Sequence, residues 1–340
     1  MDDLTEQIIA LKEAGHTWRE ICGTLGIKKE AARSRYRNFK KKKRSPTCTA
    51  TGVMTDEPPD EDEVYRRACR EWEKTRELEE RRNAQSLEFS RGPVALVAAA
   101  DLHLGGGGVD YPRVFEEAEL IANTPGMYLI LLGDLVDNFI VSSLIKLRLF
   151  TRLTITDEWT LVRRYLRIVG PKVRATVGGN HDYWLTMLSG IDYLRDTLAA
   201  IVPGTIYDQD DAKITVRIGK TEWPGRIRHK WRGTSIYNET HGIERAAKWD
   251  QDFLWAIGAH THRDGVVRSF NHAGRQGWSA MCGSYKRVDH YATQGGFPNA
   301  NNSIAIALVF DEDTGSITGF DNLEMCARFM RKLYTNEETD

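Results

Sequence analysis

Residues 94–105 read VALVAAADLHLG. Seven apolar residues run on without a charge and end abruptly in Asp101-Leu102-His103. The run is too short for a membrane span and lacks the polar alternation of a half-exposed strand, so it suits a strand buried on both faces of an α/β sheet. The same grammar returns three times downstream. MYLILLG (127–133) leads into DLVDN, KVRATVG (172–178) into GNHD (179–182), and FLWAIGA (253–259) into HTH (260–262). Helical stretches lie between these strands, so residues 91–328 are expected to form one α/β domain. Further strands are expected at KITVRI (213–218), GRIRH (225–229) and GWSAMCG (277–283), and in a late hairpin over SIAIALVF–DEDTG–SITGF (303–320).

Polar clusters at the carboxyl ends of such strands gather on one sheet edge, where α/β proteins keep their sites. The residue types define the chemistry. In Asp101-x-His103 and His260-x-His262, alternate side chains of an extended stretch point the same way, so each pair can grip one ion. The two oxygens of Asp134 can bridge two ions. Asn180 offers a neutral oxygen, which limits the negative charge facing an anionic substrate. Mixed nitrogen and oxygen ligation suits Mn²⁺, Fe or Zn²⁺ rather than Ca²⁺.

The order D-x-H, GDLVDN (133–138), GNHD, an isolated His, then H-x-H resembles the calcineurin-like metallophosphoesterase superfamily over residues 93 to about 325. The resemblance implies a β-sandwich flanked by helices and two divalent metal ions, Mn first, with Fe or Zn as alternatives. It implies that Asp101, His103 and His262 hold one ion, that Asn180, His229 and His260 hold the other, and that Asp134 bridges them. His181 would contact the scissile phosphate and protonate the leaving oxygen, with Asp182 orienting it. Asp137 and Asn138 are supporting candidates or parts of a structural turn. The isolated histidine is His229, at the end of GRIRH, or His241, after the loop YNET. Part of the pattern is similar to the SbcD-like repair nucleases. Only 78 residues follow His262, too few for the large cap of that branch. The layout looks more like a phage or prophage-type metallophosphoesterase with a DNA-binding head.

Residues 1–44 read as a small all-α module. Leu4, Ile8, Ile9 and Leu11 form one apolar face, and Gly15 ends that helix. Thr17 and Glu20 form a capping-box pattern before a short second helix closed by Gly26. A basic third helix starts near Lys28. The module resembles a helix-turn-helix DNA-binding unit, with Lys28, Lys29, Arg33, Arg35 and Arg37 presented by the third helix. A protein-docking bundle and a plain appendage are the other readings. From Ala31 to Arg44 there are eight basic residues and no acidic one, which suits a polyanionic partner or the start of a solvated linker. Residues 45–60 contain Pro46, Pro58 and Pro59 and read as a flexible linker. Residues 61–90 read as one charged helix with Val64, Ala68, Trp72, Thr75 and Leu78 on helical spacing. That helix either packs on the larger domain, acts as a spacer or pairs with itself, so a homodimer is possible. Residues 329–340 read as a tail.

The chain has 340 residues and a formal charge of −1, so the whole chain is neither polyanion nor polycation. Five widely spaced cysteines without a C-x-x-C pair suit a reducing compartment. The acidic N-terminus is no secretory signal, and no membrane span is expected; the expected location is cytoplasmic. Basic and aromatic residues crowd RIRHKWRG (226–233), THRDGVVR (261–268) and GSYKR (283–287). Arg228, Lys230, Trp231, Arg232, Tyr285 and Lys286 are therefore candidates to track a phosphate backbone and stack bases. The expected function is a metal-dependent nuclease acting on single- or double-stranded DNA. The alternatives are a small-molecule phosphatase or cyclic-nucleotide phosphodiesterase with a regulatory head, and a DNA-binding regulator whose catalytic domain is spent.

Overall fold

A computed structural model describes residues 3–44, 60–83, 85–140, 153–233, 235, 237–249, 253–272, 274–287 and 302–336. The chain divides near residue 68 into two units.

In the smaller unit, α1 (Asp3–Glu13), α2 (Trp18–Leu25) and α3 (Lys29–Arg44) close on a core of Ile8, Ile21 and Ala32. The capping box forms as the spacing predicts: Thr17 Oγ1 accepts from Glu20 N, and Thr17 N donates to Glu20 Oε2 at 2.7 Å. Gly26 takes the left-handed conformation (φ 64°) that lets the chain turn into α3 within three residues. Ala32, Tyr36 and Phe39 face inward along α3. Lys29, Arg33, Arg37 and Lys40 recur at helical spacing on its exposed face. Lys28, just before α3, is exposed as well. Arg35 belongs to the inner side, where Nη1 donates to Thr5 Oγ1 at 3.1 Å.

The charged helix α4 (Glu61–Asn83) is shorter than expected and has no buried residue along its length. Residues 85–89 are not helical. They form β1 (Gln85–Phe89), paired in parallel with β6 (Asp211–Ile218) from Gln85↔Ile214 to Phe89↔Ile218. Leu87 points inward while Ser86 and Glu88 do not, a period-2 pattern hidden behind the preceding charges. The linker expected at 45–60 lies outside the described residues except for Asp60.

The larger unit stacks two six-stranded sheets. One sheet runs β12 (Ser316–Phe320), β11 (Ile306–Asp311), β2 (Val94–Ala99), β3 (Met127–Leu132), β4 (Val173–Val177), β5 (Ile206–Asp208). The other runs β1, β6, β7 (Thr221–Arg228), β8 (Trp255–Gly258), β10 (Arg275–Met281), β9 (Val266–His272). The apolar run at 94–100 explains itself here. Leu96, Ala98 and Ala100 face the core between the sheets, while Ala95, Val97 and Ala99 face α5 (Tyr111–Ala122), α6 (Ile155–Val169), α8 (Tyr193–Ile201) and α10 (Leu323–Asn336). On the far side α9 (His241–Trp249) packs Ile243 and Ala247 against Trp231, Ala256 and Met281. The architecture is a mixed α/β sandwich between helical layers. The expected tail at 329 is instead the second half of α10, in which Met330 is fully buried. Among the described residues, no helix is long and apolar enough to cross a membrane, and the four described cysteines are free.

Candidate metal centre

Topology brings the polar clusters together. β2, β3 and β4 are parallel neighbours, so their carboxyl ends deliver Asp101, Asp134 and Asn180 side by side. β7 and β8 are parallel neighbours in the other sheet and deliver His229, His260 and His262 opposite them. The two sets are tied across the sandwich, because His260 N donates to Asp101 Oδ2 at 2.9 Å.

Of three donor groups among the described residues, each within 4.8 Å internally, two contain Asp134: Asp101, His103, Asp134 and His262 in one, and Asp134, His229 and His260 in the other; the third is His103, Asp137 and His181. In the first group His262 Nε2 lies 3.2 Å from Asp101 Oδ1 and 3.0 Å from His103 Nε2. In the second, His229 Nε2 lies 3.2 Å from Asp134 Oδ2, 3.1 Å from His260 Nδ1 and 3.3 Å from Asn180 Oδ1. His229 Nδ1 donates to the Leu132 carbonyl at 2.6 Å, which turns Nε2 toward the group. Of the two candidates for the isolated histidine, His229 is the one whose ring lies among these donors. His241 begins α9 on the surface instead.

The donors fit a divalent cation. Asp101 Oδ1 is fully buried, faces the cluster and has no hydrogen-bond donor. Burial alone would lower the His229 pKa, yet Asp134 and Asp101 outweigh it and raise it to about 10. His103 behaves alike: burial lowers its pKa, and Asp101 and Asp137 lift it to about 9. The cavity thus draws positive charge strongly, and its donors are the mixed nitrogen and oxygen set of a transition-metal site.

The backbone is bent to make this set. Among described residues other than glycine, positive φ occurs at Asp101 (49°), His103 (44°), Asp134 (52°), Asn138 (38°), His260 (79°) and His262 (51°). Five of these six are expected ligands. Each such conformation costs about 1–3 kcal/mol and persists only where the surroundings enforce it, which concentrates them at functional sites. Gly179 is as constrained. A Cβ there would sit 2.2 Å from both Asp134 N and Asp134 Oδ1. Gly179→Ala should therefore displace Asp134 and weaken Mn²⁺ binding about tenfold or more. Calorimetric titration checks this, with circular dichroism to confirm the fold.

His181 is buried beside the same donors. Its Nε2 is 3.9 Å from Asp134 Oδ2, and its ring packs against Trp184 at a centroid distance of 4.1 Å and Phe139 at 5.1 Å. Asp182 does not orient it. The Asp182 carboxylate accepts from the backbone N–H groups of Asp134 (2.8 Å), Leu135 (3.0 Å) and Gly179 (3.0 Å), bracing two ligand loops against each other. The Asp137 carbonyl takes the orienting part, accepting from His181 Nδ1 at 2.5 Å. Asn138 contributes by donating Nδ2–H to the His181 carbonyl at 2.9 Å, and its own N–H donates to Glu158 Oε2 at 2.8 Å. Glu158 escapes a reading of motifs alone. Its signal was helical phase: it shares the inward face of α6 with Trp159, Val162 and Leu166, where a carboxylate needs a reason.

Three residues expected to contact a polyanion are inside the protein. Trp231 is buried, with Nε1 donating to the Ile257 carbonyl at 3.0 Å. Tyr285 is buried, with its hydroxyl donating to Glu117. Lys286 is buried against Asp137. Of the remainder, Lys230 and Arg232 are exposed and Arg228 is half-buried, its guanidinium 5.6 Å over the Trp231 ring. The segment VVR (266–268) opens β9, and Arg268 pairs with Glu239 at 3.0 Å.

No protein-family model matches this sequence, and no curated protein matches it. Solved structures do align with it. A single mutant of Vps29 from Entamoeba histolytica shares 13% identity over 66% of this chain and 97% of that one, with a TM-score of 0.33. The nuclease MPE of Pseudomonas putida shares 11% over 66% and 87%, with a TM-score of 0.30. A Streptococcus pneumoniae protein described as a predicted phosphoesterase shares 12% over 67% and 98%, with a TM-score of 0.29. Likenesses of this size carry no functional weight; the donor geometry does.

Proposed function

We propose that this chain is a metal-dependent phosphodiester hydrolase that acts on DNA recruited by its N-terminal helices. The observation that carries the reading is the pair of donor groups sharing Asp134. A shared carboxylate between two mixed nitrogen and oxygen sets is what a two-ion hydrolytic site requires, with Mn²⁺ as the first candidate and Fe or Zn²⁺ as alternatives. Asp101, His103 and His262 would hold one ion, Asn180, His229 and His260 the other, and Asp134 both. Divalent ions bound there supply Lewis acidity toward a phosphoryl group and toward water.

The chain's own residues do the rest. Asp182 fixes the Asp134 loop against the Gly179 turn. His181 Nδ1 carries its hydrogen toward the Asp137 carbonyl, so a second proton loads on Nε2, the atom facing the cavity. Burial holds the His181 pKa down to about 4 despite Asp134. A proton held on Nε2 would be the one delivered to the leaving oxygen of a bound phosphodiester.

DNA is favoured by the exposed stripe Lys29, Arg33, Arg37 and Lys40 on α3, which follows a capped helix and a three-residue turn. Neutralising all four to Gln should leave the fold intact, because none is buried. Each lost phosphate contact removes about 0.9 from the slope of log affinity against log salt, so the slope should flatten by about 3 to 4. An unchanged slope in fluorescence anisotropy would detach DNA binding from α3. The burial of Trp231, Tyr285 and Lys286 favours the second reading, a small phosphoester as substrate, because it thins the polymer-tracking surface beside the cavity.

The test is hydrolysis of labelled single- and double-stranded DNA, linear and circular, with Mn²⁺, alongside bis-p-nitrophenyl phosphate and with Asp134→Asn as control. DNA cleavage lost in the variant supports the nuclease. Cleavage of the small diester with DNA untouched moves the substrate to nucleotides or other small phosphoesters. The third reading, a spent catalytic domain, predicts neither.

A further inference from the structure

One cation beside the centre has no part in the chemistry above. Lys286 lies on the segment after β10, 8% exposed, with Nζ 2.7 Å from Asp137 Oδ1 and 4.6 Å from the centroid of the Phe139 ring. Asp137 is 3% exposed. Burying such a pair is costly, and an apolar pair of similar volume would often serve stability as well or better. The contacts of Asp137 suggest what the pair achieves instead. The same Oδ1 lies 3.3 Å from His103 Nδ1, a close ion pair though not aligned as a hydrogen bond. The Asp137 carbonyl accepts from His181 Nδ1. One residue thus sets two rings, and both turn Nε2 toward the donor cluster.

The lysine is itself mounted on the ligand loop. Lys286 N donates to Ser284 Oγ at 3.1 Å, Ser284 Oγ donates to the Asp101 carbonyl at 3.1 Å, and Tyr285 N donates to the same carbonyl at 3.2 Å. The chain from Asp101 through Ser284 and Lys286 to Asp137 returns to His103 and closes a ring around the first donor group. We infer that Lys286 is a positioning residue that holds Asp137 so that His103 and His181 both present Nε2 to the centre. Its consequence for catalysis rests on the hydrolase reading; its consequence for metal uptake does not.

Lys286→Met removes the charge and keeps the length of the stem. Titration calorimetry should show Mn²⁺ binding weakened about tenfold to a hundredfold, as for other partners that orient metal-binding histidines. In ¹⁵N-histidine-labelled protein, the His103 ring resonances, assigned with His103→Gln, should shift away from their parent positions. Ethylammonium should restore part of the Mn²⁺ affinity to Lys286→Ala, which a purely structural role would not allow. Should the single variants fail to fold, Asp137→Asn with Lys286→Met leaves no buried charge unpaired and should show the same loss. Parent-like Mn²⁺ affinity and His103 shifts in any folded variant overturn the inference. A parent protein that cleaves no phosphoester while Lys286→Met still loses Mn²⁺ affinity would overturn the hydrolase reading alone.

Discussion

Asp134→Asn should abolish the binding of divalent ions at both donor groups and lower hydrolysis by at least about a thousandfold, or about 4 kcal/mol of transition-state stabilisation. Asparagine is the informative replacement. Asp134 sits at φ 52°, a conformation that Asn tolerates and Ala resists. The Asn oxygen can still accept the His181 N–H that Asp134 Oδ1 accepts at 2.8 Å, so the turn keeps its bond. What vanishes is the charge shared by the two groups. In chelator the variant should melt below the parent, because the buried His229 that Asp134 keeps protonated loses its partner, and relief of the nearby Asp182 carboxylate offsets only part of that loss. Burial and Asp134 together lift the Asp182 pKa to about 7. Adding Mn²⁺ should then raise the melting temperature of the parent and leave the variant where it was, by the mass-action stabilisation of a bound ligand. A variant that still takes up one ion with parent affinity would show that the groups are separate and that Asp134 does not bridge them.

The fold was legible where burial is uniform. Strands such as 94–99 and 127–132 lie between two apolar layers, so their sequences show it without phase information. The site was legible because its donors cap those strands, and strand adjacency turned four distant clusters into one cavity. What the sequence hid was direction. Lys286 and Trp231 look like surface residues in a basic segment, yet charge density along a chain does not tell which side faces in. For Trp231 a signal was present: Ile227, His229 and Trp231 continue one period-2 face, and burial alternates with it through Arg228, Lys230 and Arg232. Lys286 gives no such sign, because its partner Asp137 is 149 residues away. The orienting groups of His181 and His229 were hidden for a simpler reason. They are the carbonyls of Asp137 and Leu132, and a backbone atom has no residue type to read.

His181→Asn should leave Mn²⁺ binding intact and slow the chemical step on DNA by about a hundredfold to ten-thousandfold, the usual worth of a positioned proton donor. His181 belongs to neither donor group that contains Asp134, so its loss removes no ligand from them. The Asn carboxamide can still donate to the Asp137 carbonyl, which limits disturbance of the turn. The leaving group decides between a proton-donor role and a packing role. A nucleoside oxygen leaves as an alkoxide unless it is protonated, whereas p-nitrophenolate is stable enough to leave unaided. The variant should therefore lose far more on DNA than on bis-p-nitrophenyl phosphate, where the deficit should stay within about tenfold. Equal losses on the two substrates would mean that the ring between Phe139 and Trp184 shapes the cavity and transfers no proton. Mn²⁺ affinity reduced along with both rates would mean that His181 is itself a ligand, through the third close grouping it forms with His103 and Asp137.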